Sequence, residues 1–104
     1  MDGDTRLQTG WHVIAETEEM PTIIDTVLAL DEDRTYTRSE LAEESGIPLK
    51  TLHLMDDVSV AVDIGLLDRH EHEGEEVAYS VNADSDVLAK ARAFGEAVTD
   101  ARDG

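Results

Sequence analysis

A helix–turn–helix pattern between Thr37 and Gly65 constrains the fold of this chain more than any other feature. Thr37 or Ser39 can cap a first helix, because each side chain carries an oxygen that accepts hydrogen bonds from the free N–H groups of a first turn. Gly46 supplies the left-handed conformation that commonly ends a helix. Pro48 can occupy the start of a second helix, which we expect to end at Gly65.

The second half of that second helix has two possible interpretations. Four apolar residues fall at helical spacing and would form one buried face: Leu52, Met55, Val58 and Val62. Large apolar residues also occupy every second position from 58 to 64, which is typical of a strand. The preceding turn and the closing Gly65 favour a helix for residues 58–64, and a strand is the alternative.

After Gly65 the apolar period changes to two, which indicates a β-hairpin. Its predicted strands are residues 67–72 and 76–81, and Glu73-Gly74-Glu75 forms the turn between them. Asp84 or Ser85 can then cap a terminal helix whose apolar residues recur at intervals of three and four. The predicted fold class is therefore mainly α with a small β-hairpin (α+β).

The segments on either side of this pattern complete a chain with one domain. The spacing of Leu7, Trp11 and Ile14 favours a helix near the N-terminus, after residues 1–5 that we expect to be frayed. Pro21 opens a short helix that a polar turn at residues 31–33 ends. The predicted units are an N-terminal segment over residues 1–19, a domain over 20–82, a terminal helix over 83–99 and a loose tail over 100–104.

The chain carries 25 acidic residues against 8 basic ones, a formal net charge of -17. The acids recur along the whole length, and the only lysines are Lys50 and Lys90. Such a surface strains the compact state at ordinary ionic strength, whereas molar salt shortens the Debye length to about 3 Å and screens the repulsion. This carboxylate-rich, lysine-poor composition resembles that of halophilic archaeal proteins, and the resemblance implies a cytoplasm rich in K⁺. A DNA mimic, whose carboxylates imitate phosphates, is the alternative.

Several classes of function find no support in the sequence. Cysteine is absent, which excludes disulfides and thiol nucleophiles. Neither a phosphate-binding glycine loop nor a hydrolase or zinc-protease motif occurs, so we expect no enzymatic activity, cofactor or metal site. No apolar run approaches the roughly 18 residues of a membrane span and no signal peptide opens the chain. We therefore expect a cytoplasmic protein without a membrane partner.

Three stretches of the chain carry a family likeness. They are Arg38-Ser-Glu-Leu-Ala-Glu-Glu-Ser-Gly-Ile-Pro, a helix ending Ile64-Gly-Leu-Leu-Asp-Arg, and a hairpin ending Ala78-Tyr-Ser-Val-Asn. In this order they resemble archaeal winged helix-turn-helix regulators, in particular their small haloarchaeal members, over roughly residues 20–98. The resemblance implies a winged helix-turn-helix fold and a transcription regulator that binds double-stranded DNA in a sequence-specific way.

The resemblance also places candidate DNA contacts on two elements. The second helix of the motif would enter the major groove, and its groove-facing candidates are Lys50, Thr51, His53 and Leu54. Arg38 would support that entry. The hairpin would serve as the wing and touch the DNA backbone or minor groove with Arg69, His70 and His72.

The terminal helix carries an apolar face formed by Leu88, Ala91, Phe94 and Val98. This face can cover the domain's own core, or it can pair with a second copy across a two-fold axis. Winged-helix regulators commonly dimerise in this way and so read two half-sites. We expect a homodimer, with Trp11 and the N-terminal segment as further parts of the interface.

Charge bears on the DNA prediction in two opposite ways. Residues 34–72 contain four basic and eight acidic residues, a net charge of -4, whereas the other 65 residues carry -13. The lower density of negative charge over residues 34–72 favours DNA binding through this part of the chain. Asp56 and Asp57 on the second helix would repel phosphate, and basic residues are scarce beside them. Their presence favours the alternative function, a winged-helix protein-interaction module that does not bind DNA.

Overall fold

The computed structural model describes residues 9–104, which form six helices and a three-stranded antiparallel sheet. The elements follow in the order α1 (Gly10–Glu16), α2 (Met20–Ala29), β1 (Thr35–Thr37), α3 (Arg38–Ser45), α4 (Leu49–Leu54), α5 (Asp57–Asp63), β2 (Leu67–His70), β3 (Ala78–Val81) and α6 (Asp86–Asp103). The α+β class is confirmed, as is a helix around Trp11. The expectations for residues 1–5 and Leu7 lie outside the described residues.

The hydrophobic core lies between α2, α3, α5 and the sheet. Pro21 occupies the first turn of α2, as predicted, and one face of that helix buries Met20, Ile23 and Val27. The most deeply buried large side chains elsewhere in the core are Leu52, Val58, Leu66, Leu67 and Tyr79. Burial of each such side chain contributes about 1.5–3 kcal/mol, so these contacts hold the helices against the sheet.

The turn between α3 and α4 forms as its residues predict. Thr37, and not Ser39, caps α3: its Oγ1 accepts from the backbone N–H of Glu40 at 3.2 Å, and Glu40 Oε1 accepts from the backbone N–H of Thr37 at 2.9 Å. This reciprocal capping box pairs two N–H groups that a helix start otherwise leaves free. Gly46 ends α3 in the left-handed region at φ 78°, and Ile47 is buried just beyond it.

The predicted single helix from Pro48 to Gly65 is instead two helices, α4 and α5, separated by Met55 and Asp56. Residues 57–63 are helical, so the strand alternative for this stretch is wrong. Packing explains the break. In a continuous helix Leu52 and Ala61 would lie on opposite sides, about 180° apart at 3.6 residues per turn. Both side chains are 0% exposed, and the extended backbone at Met55 lets the two helices bury them together.

The sheet has the strand order β1-β3-β2, and both pairings are antiparallel. The strand β1 was not predicted; it pairs with β3 and sets Tyr36 opposite Tyr79. The predicted hairpin is present, but its strands are shorter than residues 67–72 and 76–81, because ladder pairing ends at His70 and Ala78. The turn lies where predicted, and the Glu75 backbone N–H donates to the His72 carbonyl oxygen at 2.9 Å. Gly74 lies within that turn at φ 81°.

The last helix, α6, begins where predicted and extends further than predicted. Ser85 Oγ accepts from the backbone N–H of Leu88 at 3.0 Å and caps the helix. The helix continues to Asp103, so residues 100–103 do not form the expected loose tail; Arg102 in the last turn interacts favourably with the helix dipole. Over the described part of the chain, no helix has the length and apolar character needed to cross a membrane.

Candidate nucleic-acid interface

The short helix α4 turns Leu52 into the core and its opposite side to solvent. All four residues predicted to face a groove are exposed: Lys50, Thr51, His53 and Leu54. Lys50 and Leu54 are one turn apart and therefore share the face opposite Leu52. The exposure of these side chains agrees with the predicted contact face of the helix-turn-helix motif.

Arg38 connects α3 with the C-terminal end of α4. Its Nη1 donates to the carbonyl oxygen of Leu52 at 3.5 Å, and its Cζ lies 5.6 Å from the ring centroid of Tyr79 in β3. A guanidinium at a helix C-terminus pairs with carbonyl groups that lack partners within the helix, and a tyrosine ring attracts the cation further. Arg38 is half-buried, and its contacts join α3 to α4. Its predicted support of DNA entry stays a prediction.

The three candidates on the hairpin do not share one face. Arg69 lies opposite Tyr79 in the strand register, on the sheet face that packs against the core. His70 lies on the reverse face, where its Nε2 is 2.8 Å from Ser80 Oγ. His72 is exposed in the loop beyond β2. Tyr79 therefore has Arg38 beside its ring and Arg69 opposite it in the strand register, whereas His70 lies on the reverse face of the sheet.

The arginines of this region are engaged by other groups of the protein. Arg34 Nη2 lies 3.1 Å from Glu40 Oε2, with its Cζ 4.3 Å from the Tyr36 ring centroid. Arg69 Nε lies 2.7 Å from Glu71 Oε2. Within residues 9–104, no carboxylate lies within ion-pair distance of Lys50. Lys50 is therefore the cation of α4 that is available to an external anion.

The Glu40 carboxylate is engaged by Arg34 and by the Thr37 backbone N–H. The hydrogen bond from the Thr37 backbone N–H lowers the pKa of the Glu40 carboxyl below its ordinary value, and Arg34 lowers that pKa further by hydrogen bonding and Coulomb attraction. The carboxylate stays ionised at neutral pH and offsets the charge of Arg34. Its role at the start of α3 is structural.

Asp57 does not face solvent, contrary to the prediction that it would repel phosphate. It is 4% exposed, and its Oδ2 accepts from the backbone N–H of Glu19 at 2.8 Å. Glu19 occupies the N-cap position of α2, and its own side chain makes no capping hydrogen bond. Asp57 therefore caps α2 from 38 residues away. Asp56 is exposed beside α4, and the predicted repulsion remains for that residue.

A second surface of interest is apolar and joins α1 to α6. The Trp11 and Phe94 rings meet edge to face with centroids 5.5 Å apart, and the two side chains are 65% and 55% exposed. Val98 is also exposed and Ala91 is half-buried. The assignment of Leu88 to this surface is corrected, because Leu88 is 3% exposed within the core. We call Trp11, Ala91, Phe94 and Val98 the aromatic face.

Metal binding has no structural support in the described part of the chain. Residues 9–104 contain no group of three or more His, Asp or Glu side chains that could hold a metal ion. His70 and His72 are not paired on a strand, because β2 ends at His70. No protein-family model, curated protein or solved structure matches this sequence.

Proposed function

We propose that this protein is a winged helix-turn-helix regulator that binds double-stranded DNA by inserting α4 into the major groove. The observation that carries the proposal is the free face of α4, where Lys50, Thr51 and His53 project from a helix anchored by Leu52 and Arg38. Major-groove reading requires such an arrangement, with one side of a helix fixed and the other offering hydrogen-bonding groups. The order of α2, β1, α3, α4, α5, β2 and β3 supports the fold assignment.

The hairpin supplies the wing in this proposal. Arg69 would approach the phosphate backbone once it exchanges Glu71 for a phosphate oxygen, a substitution that exposed ion pairs permit because they are worth little. His72 in the exposed loop would accompany it. The net charge of -17 is then an adaptation to the solvent, a halophilic archaeal cytoplasm. Its K⁺ screens the repulsion between the acidic protein and DNA.

Lys50→Glu is expected to weaken binding to every retained DNA fragment by about tenfold, because it replaces a lysine that has no ion-pair partner within residues 9–104 with a carboxylate held against phosphates inside the interface, where salt screens least. The measurement is a binding assay on fragmented genomic DNA in about 2–4 M KCl, where the charge of the protein is screened. Arg92→Glu is the matched control: it makes the same charge change on the side of α6 away from Phe94, where Arg92 Nη2 lies 3.9 Å from Glu32 Oε2. A folded wild-type protein that selects no fragment contradicts the proposal.

We further propose that the protein is a homodimer that joins through the aromatic face. Trp11 and Phe94 leave more than half of their surface in water even in mutual contact. Phe94 and Val98 lie one turn apart on α6, and contiguous exposed apolar surface of this kind marks interaction sites. A two-fold dimer would present two copies of α4 to two half-sites of an operator.

Phe94→Glu is expected to convert the dimer into a monomer, because the dimer would bury two carboxylates without partners. Sedimentation equilibrium in about 3 M KCl measures the mass, and fluorescence of Trp11, which is the only tryptophan, reports exposure of the face. Ala89→Glu is the control, since Ala89 is exposed on the other side of α6. A monomeric wild type, or a Phe94→Glu protein that stays dimeric, counts against the interface.

One observation favours the second candidate function, a protein-interaction module that does not bind DNA. Leu54 is 80% exposed and Leu49 is 37% exposed, so α4 offers apolar surface as well as Lys50. The assay on genomic fragments separates the two functions, because an interaction module would select no DNA sequence. A DNA mimic is disfavoured by the even distribution of acids along the chain.

A further inference from the structure

The exposed side chain of Leu54 has no function within the fold. It is 80% exposed at the last position of α4, and it is the most exposed of the large hydrophobic residues in the described chain. Leaving such a side chain in water forgoes the free energy of its burial. A partner that covers Leu54 with an apolar group would recover this free energy.

The position of Leu54 on α4 restricts that partner. Lys50 and Leu54 are four residues apart and share the face opposite Leu52, so any surface that receives Lys50 also receives Leu54. The helix has six residues, which corresponds to about 9 Å of length. Both side chains therefore enter a groove together when α4 does. Lys50 has charge complementarity with phosphates, and Leu54, at the other end of α4, would then reach the edges of the bases.

Only one group on the floor of the major groove is apolar. Guanine, cytosine and adenine present hydrogen-bond donors and acceptors there, whereas thymine presents a C5-methyl group beside its O4. We propose that Leu54 reads thymine through this methyl group, so that the sequence selected by α4 contains thymine at the position facing Leu54. The inference rests on the proposed function and specifies one base of the sequence that α4 recognises.

Salt strengthens the argument for an apolar contact. Phosphate contacts by Lys50 discriminate poorly between sequences, in molar salt as in dilute salt. Contact between a leucine and a methyl group releases no counterions and keeps its strength under those conditions. Within residues 9–104, Arg38 is engaged by the Leu52 carbonyl and Tyr79, and Arg34 and Arg69 are paired with Glu40 and Glu71. Thymine reading through Leu54 therefore supplies selectivity that the charges of this face do not.

The test compares one duplex with and without its thymine methyl groups. A duplex is first selected from a random library on wild-type protein in about 2–4 M KCl, and is then made with deoxyuridine in place of thymidine. Wild-type affinity is expected to fall about three- to fivefold for each methyl group that Leu54 contacts. Leu54→Ala is expected to bind the thymidine duplex weakly and to lose the difference between the two duplexes, whereas Leu54→Met is expected to retain that difference.

Each outcome has a separate meaning. Equal binding of both duplexes by the wild type overturns the thymine proposal and leaves DNA binding intact. Full sensitivity to deoxyuridine in a folded Leu54→Ala protein assigns the methyl contact to another residue and also overturns it. If no duplex is enriched by folded wild-type protein, the proposed function fails, and Leu54 then belongs to a surface that binds protein.

Discussion

Asp57→Ala is expected to lower the free energy of unfolding by about 2 kcal/mol, although it removes a negative charge from a chain with a large excess of them. The Asp57 carboxylate accepts from the Glu19 backbone N–H at 2.8 Å and lies at the positive end of the α2 dipole. Alanine provides no acceptor, so a partly buried N–H group loses its partner. The relief of long-range repulsion is smaller, because molar salt screens it.

Two substitutions isolate the cap from the charge. Asp56→Ala makes the same change in net charge at the exposed N-cap position of α5, where the Asp56 side chain makes no capping hydrogen bond, and we expect it to alter stability by less than about 0.5 kcal/mol. Asp57→Asn keeps an oxygen acceptor without the charge and is expected to fall between the two. Urea unfolding in about 3 M KCl measures all three against the wild type. Equal stability of the two alanine variants would show that the cap contributes nothing.

Local signals in the sequence predicted both ends of α2 and α3 and the starts of α4 and α6 correctly. The Thr37–Glu40 capping box, the Gly46 turn and the Ser85 cap depend on residues within a few positions of one another. Such caps and turns form independently of the rest of the fold, because the hydrogen bonds and dihedral preferences that stabilise them lie within one short segment. The exposed side of α4 was predictable for the same reason, since Leu52 marks its buried side.

The features that escaped prediction depend on contacts between distant parts of the chain. Strand β1 has three residues, too few to show a period, and it exists because β3 pairs with it from about forty positions away. Asp56 and Asp57 are adjacent and chemically identical, and only packing of α5 against α2 buries one of them. The break at Met55 has no glycine or proline to mark it. It follows from the burial of both Leu52 and Ala61.

The affinity for DNA is expected to stay constant or rise as KCl increases through the molar range, the reverse of ordinary behaviour. A protein that neutralises six to ten phosphates releases their counterions and loses about 10³–10⁵ in affinity between roughly 50 and 200 mM salt. This chain has a net charge of -17, and Arg34 and Arg69 are paired with its own carboxylates. Its approach to DNA therefore requires cations between carboxylates and phosphates, and higher KCl supplies them.

The logarithm of the affinity, plotted against the logarithm of KCl concentration from about 1 to 4 M, measures the net number of ions taken up or released. We expect a slope of zero or above. Asp56→Asn removes a carboxylate beside α4 and should lower the slope by up to about one, because one fewer cation is needed. Asp25→Asn, an equal change on the exposed side of α2, should leave the slope unchanged.

Circular dichroism at each KCl concentration confirms that the protein is folded, since weak screening strains the compact state. A steep fall in affinity with rising KCl in folded protein would mean that direct phosphate neutralisation drives binding, and that the acidic surface stays clear of the DNA.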